Sequence, residues 1–157
     1  HPKTRALAQY FRNGLLAGGD EQLIAELDRL REQVDRFNPE AGAALSRRLG
    51  WAFRSSDTGR RYPSLDALLA NEPRAGNWQS LPPHPDHLRG LLQGMEPEAI
   101  LAVLIQPLAI AEGREDGLLA LGDPKAPGTR KGHHWLEGAI FRLFRRMGET
   151  APLDTTA

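Results

Sequence analysis

The residues best suited to chemistry lie near the C-terminus. Arg130, Lys131, Arg142, Arg145 and Arg146 are part of a basic stretch, Lys125 to Arg146, whose only acid is Glu137. Trp135 stands among them. At 100° per residue, Leu136, Ile140, Leu143, Phe144 and Met147 share an arc of about 100°, the stripe that a helix buries. Lys131, Trp135, Arg142, Arg145 and Arg146 project onto the opposite side. A tryptophan on a basic face can stack on a nucleobase or receive an arginine, and large aromatics on polar faces mark contact surfaces. The ordinary alternative is burial of Trp135 against another part of the chain.

The stretch Gly122 to Gly132 leads into this helix and adds Lys125 and Arg130 near its start, where backbone amides favour anions. It does not match a phosphate-binding loop. Five residues separate Gly122 from Gly128 where that loop has four, and Thr129-Arg130 stands where Lys and Ser or Thr should follow. Phosphate contact is compatible with it; nucleotide hydrolysis is not supported.

A second basic patch comprises Arg47, Arg48, Arg54, Arg60 and Arg61. Cations are favoured at a helix C-terminus, which gives the patch a plain structural explanation. His84 and His87 flank Asp86, and His133-His134 follow far along the chain. Zinc asks for three or four rigid ligands, so these pairs make only weak metal candidates. Ser55 and Ser56 lack the Gly-x-Ser-x-Gly setting of a hydrolase nucleophile. Glu96, Glu98, Glu112, Glu115 and Asp116 read as caps and solubilising charge. No catalytic residue and no cofactor is expected.

The elements that must position these groups follow from composition and period. Net charge is +0, from 20 Lys+Arg and 20 Asp+Glu, but the charge is sorted into blocks. Asp20 to Asp35 and Glu96 to Asp123 are acidic; Arg47 to Arg61 and Lys125 to Arg146 are basic. Such sorting predicts separate acidic and basic faces. Arginine outnumbers lysine 17 to 3, through genome composition or because guanidinium suits bidentate anion contact. Leu and Ala dominate the apolar set, which favours helix over strand. There is no Cys, in keeping with a reducing, cytoplasmic setting. The apolar stretch Ala99 to Ala111 is too short to span a bilayer, so no membrane partner is expected.

Thr4 and Asp20 are expected to cap the first two helices, with Gly18-Gly19 between them. Leu23, Leu27, Leu30, Val34 and Phe37 form a narrow seam, for a contact within the bundle or between two copies. Asn38-Pro39 opens a third helix that carries Leu45, Leu49 and Phe53 and ends near Arg54. A polar loop then runs to Ser64, which caps a short helix. From Glu72 to Pro85 the prolines exclude regular helix and central strand, while Trp78 and Leu81 argue for packing. Asp86 should cap the next helix, and Pro107 should kink or end the one that Pro97 opens.

The expected fold is all-α, a compact bundle of about six to seven helices with a Pro-rich irregular segment in its middle. Residues 1–150 would form one helical domain, with 1–71 and 86–148 as candidate halves joined by 72–85, and 151–157 a tail. The expected function is a non-enzymatic assembly or adaptor module that docks protein partners through its charged faces. The alternative is a nucleic-acid-binding subunit using the C-terminal block and its preceding loop. A third reading is a small helical enzyme with a His/acid site. Oligomeric state and partner identity stay open.

Overall fold

A computed structural model describes residues 2–111, with side chains for residues 5–108. Helix α1 (Pro2–Ala17) stops before Gly18, as the glycine pair predicts. Thr4 lies inside this helix rather than capping it, because the helix already begins at Pro2. Helix α2 (Asp20–Phe37) follows at once. Asp20 is its first residue, and Gly19 precedes it in extended conformation. In the seam Leu23, Leu27, Leu30 and Val34 are buried inside the molecule, whereas Phe37 is 45% exposed.

Helix α3 (Pro39–Leu49) begins as its sequence dictates. The Asn38 side chain accepts hydrogen bonds from the Glu40 and Ala41 N–H groups, both at 3.1 Å, and Pro39 needs no donor. Its end differs from expectation. Gly50 adopts φ 88°, its N–H reaches the Ser46 and Arg47 carbonyls, and the Trp51 N–H returns to Ser46 O at 3.0 Å. This is a Schellman ending, which glycine permits without the Cβ penalty. Phe53 and Arg54 therefore leave the helix.

They enter a small antiparallel sheet, which corrects the all-α expectation to mostly helical. The strands are β1 (Ala52–Ser55), β2 (Arg61–Tyr62) and β3 (Trp78–Leu81), in the order β2-β1-β3. The supposed polar loop after Arg54 is the β1–β2 hairpin, turned through Gly59 at φ 73°. The supposed irregular segment contains β3, an edge strand bounded by Pro82 and Pro83. Its prolines are tolerated because they lie outside the paired residues. On β1 burial alternates: Phe53 and Ser55 face inward, Arg54 outward.

Helix α4 (Leu65–Asn71) starts at Ser64, whose Oγ accepts from the Ala67 N–H at 3.0 Å. Helix α5 (Pro85–Gly94) is capped by His84, not Asp86: His84 Nδ1 accepts from the Asp86 N–H at 3.0 Å. Helix α6 (Pro97–Ile100) opens on Pro97 and continues without a break into α7 (Gln106–Ala111) through a π-helical turn, Leu101–Ile105. Pro107 thus neither ends nor interrupts the run. The wider turn just ahead of it rearranges the hydrogen bonding where proline supplies no N–H. The core gathers Leu7, Phe11, Leu27, Leu49, Phe53, Leu68, Leu88, Leu92, Ile100 and Leu104 from helices and sheet alike. Arg89 pins α5 to the corner between α1 and α2, donating to Leu16 O, Gly18 O and Asp20 Oδ1 at 2.9 to 3.2 Å. Among the described residues, no helix is long and apolar enough to cross a membrane.

Candidate functional site

The sheet turns one face to the helices and one to solvent, and the inner face holds a candidate site. Arg31 on α2 is only 3% exposed, and its guanidinium lies 4.7 Å from the centroid of the Phe53 ring. Such a charge is tolerated because it is paired: Nη2 and Nε donate to Asp28 Oδ1 at 2.9 and 3.1 Å. Asp28 also accepts from Ser80 Oγ at 3.5 Å, and Ser80 Oγ accepts from Trp51 Nε1 at 3.1 Å. One polar chain therefore fastens α2 to β3.

Beside it opens a cleft of about 380 Å³. Arg31, Glu32, Asp35 and Arg36 form its α2 wall, and Phe53, Leu65, Trp78 and Ser80 the opposite wall. Arg36 pairs with Glu32 at 3.6 Å, so much of the charge in the first wall is compensated internally. Burial pushes the Asp35 carboxyl above its ordinary value; Arg31 opposes this, and Asp66 and Glu32 reinforce it. Trp78 is 39% exposed at the margin of the cleft.

The backbone next to Trp78 is open as well. The Ser56 N–H donates to Asn77 O at 3.2 Å, which assigns the bonded positions of β3 to Gln79 and Leu81. By the alternation of an antiparallel ladder, the peptide groups of Trp78 and Ser80 point to the other edge. Among the described residues no strand covers that edge. Unpaired edge groups of this kind are a template for an added strand.

Glu72, at the end of α4, holds the hairpin in place. Its carboxylate accepts from Ser55 Oγ at 2.6 Å, Thr58 Oγ1 at 2.8 Å and Tyr62 OH at 2.6 Å. The Ser55 bond foremost, then that of Tyr62, lowers its pKa, assisted by Thr58 and Arg60 against an opposing effect of burial. The same contact raises the Tyr62 pKa, because the neutral phenol is the donor. These three hydroxyl donors, on β1, its turn and β2, tie the hairpin to the end of α4.

The outer face brings part of the second basic patch together. Arg54 and Arg61 are direct cross-strand partners, both exposed. Arg60 lies in the adjoining turn, near Glu72 and Tyr62. Arg47 and Arg48 are not part of that face; they occupy the last turn of α3. Arg130, Lys131, Trp135, Arg142, Arg145 and Arg146 lie outside the described residues. His84 and His87 are both exposed, and His84 serves as a helix cap. Among the described residues, no group of three or more His, Asp or Glu is placed to hold a metal ion.

Sequence reasoning marked Trp78 as a packing residue but missed the cleft, the open edge and the role of Arg31. Arg31 reads as one more charge on a helix until the sheet is known. No family model, no curated protein and no solved structure matches this chain.

Proposed function

We propose that this chain is a non-enzymatic docking module that binds an extended segment of a protein partner. The segment adds to the free edge of β3, and one of its apolar side chains enters the cleft beside Trp78. The observation that carries this reading is the outward-facing edge at Trp78 and Ser80 lying against a 380 Å³ cleft with an aromatic margin. Backbone bonds along an edge supply affinity, and pockets for alternate side chains supply selectivity. Residues on one face of a strand repeat every second position, so a segment paired with β3 directs alternate side chains to the face that carries Trp78 and Ser80.

The test is a screen of the full chain against a library of short extended peptides, followed by amide NMR on the binders. Bound peptide should protect the Trp78 and Ser80 amides from exchange and shift the Trp78 indole. Trp78→Ala should weaken binding at least about tenfold, the scale of an interface aromatic. Binders that leave these signals unmoved would overturn the reading.

A second reading, nucleic-acid binding, is favoured by the pairing of Arg54 with Arg61 on the outer face of the sheet. In this reading Arg130, Lys131, Arg142, Arg145 and Arg146 would supply further phosphate contacts, with Trp135 stacking on a base. It requires affinity that falls steeply with salt and weakens in Arg54→Ala and Arg61→Ala. Salt-insensitive binding, or none at low salt, would remove it.

A further inference from the structure

A second surface, sharing no lining residue with the cleft at β3, lies between α3 and the C-terminal end of the described chain. Two adjoining hollows of about 330 and 160 Å³ share Ala41, Ala102 and Pro107 and together form one groove. Its walls are mostly apolar, with Ala44 and Leu45 on α3, Val34 and Phe37 on α2 and Val103 on the π turn, and include the polar Asn38 and Gln106. Arg48 stands on one rim, exposed. Phe37, whose place in the α2 seam predicts burial, is 45% exposed at this groove.

We infer that the groove is covered by this chain's own segment around residues 136–147, through Leu136, Ile140, Leu143, Phe144 and Met147. The chain itself supplies three arguments. First, α7, which lends Gln106 and Pro107 to the groove, leads directly into the remaining residues 112–157. Extended at about 3.3 Å per residue, 112–135 reaches any point on a molecule of this size. Second, that remainder carries an apolar stripe at helical period, which is stable only when removed from water. The alanines of the groove admit the close approach that helix packing needs. Third, Glu137, the only acid between Lys125 and Arg146, flanks the stripe beside Phe144 and offers a partner for Arg48. Docked this way, the segment turns Arg142, Arg145 and Arg146 away from the groove.

The chain has no cysteine, so Glu40→Cys introduces a unique thiol beside the groove but outside its lining. A spin label there, on the full chain, should remove most of the amide signal of residues 136–147 and restore it on reduction. Labelled chain mixed with isotope-enriched unlabelled chain should produce no such loss. Leu143→Asp in the labelled chain should abolish the loss while the amide shifts of residues 52–81, which line no part of the groove, stay in place. No loss at 136–147 overturns the inference. Loss that appears in the mixture assigns the groove to a second copy and overturns it as well. Loss that survives Leu143→Asp shows that the stripe is not what docks.

Discussion

Gly42 lies against Asp35 so closely that a Cβ on the glycine would stand 2.5 Å from the Asp35 Cα. The glycine therefore sets the distance between α2 and α3. Asp35 also lines the cleft, so the spacing of two helices is tied to the shape of the candidate site. Gly42→Ala gains up to about 1 kcal/mol of helix propensity. It must, however, displace backbone, and overpacking costs about 1–3 kcal/mol. A net loss of stability is expected in urea denaturation, with shifted amide resonances at Asp35 and Trp78. A more stable Gly42→Ala chain would contradict this packing.

Arg89 makes its contacts through a planar fork that lysine lacks. Arg89→Lys is expected to cost about 1–3 kcal/mol, the scale of charge-assisted bonds to partly buried carbonyls. The first amides to lose exchange protection should be those of residues 16–20. An equal loss throughout the chain would argue against a local clamp.

The Glu72 cluster sets opposite limits in acid and base. The Glu72 pKa is lowered in the fold, so its contribution is present above the ordinary glutamate value of about 4.3 and is lost as pH falls through the lower folded value. The Tyr62 pKa is raised, so its contribution is present below about 10 and is lost as pH rises through the higher folded value. Glu72→Gln should lower Tm at neutral pH, and the difference from the parent chain should shrink toward pH 3. A difference independent of pH would exclude the charged carboxylate as the acceptor.

Arg54 and Arg61 place like charges directly across two strands. Such pairs are destabilising, so Arg54→Gln is expected to stabilise the free chain by a few tenths of a kcal/mol at low ionic strength. Salt should erase the gain, because exposed charges are screened over about 8 Å at physiological ionic strength. Paired melts at low and high salt read this directly. A loss of stability in Arg54→Gln would show that the two side chains are held apart by other contacts.

Local signals were legible and nonlocal ones were not. Asn38-Pro39, Ser64 and Gly18-Gly19 act through neighbours within three or four residues, and each marks an element boundary in the structure. The sheet escaped because β1 has four residues, β2 has two, and neither contains Val or Ile. Leu45, Leu49 and Phe53 recur every four residues, so Phe53 imitates one more helical turn. Gly50 was the available stop signal. At α5 the sequence predicts the cap two residues late, at Asp86, because aspartate is the commoner cap and the imidazole nitrogen of His84 serves here instead. The cleft sets Arg31, Glu32, Asp35 and Arg36 against Phe53, Leu65, Trp78 and Ser80, at least 17 residues away in sequence (from Arg36 to Phe53), and no local pattern reports that. The C-terminal residues favoured as a binding surface lie outside the described residues.

The prolines that close β3 have a consequence for self-association. Only the peptide groups of Trp78 and Ser80 face outward before Pro82 and Pro83 remove two N–H donors in succession. A chain laid along this edge gains about four backbone bonds at most, each worth about 0.5–1.5 kcal/mol. That holds an incoming strand reversibly. Among the described residues, the edge is too short to be a good template for copies of the protein to stack into a growing fibril.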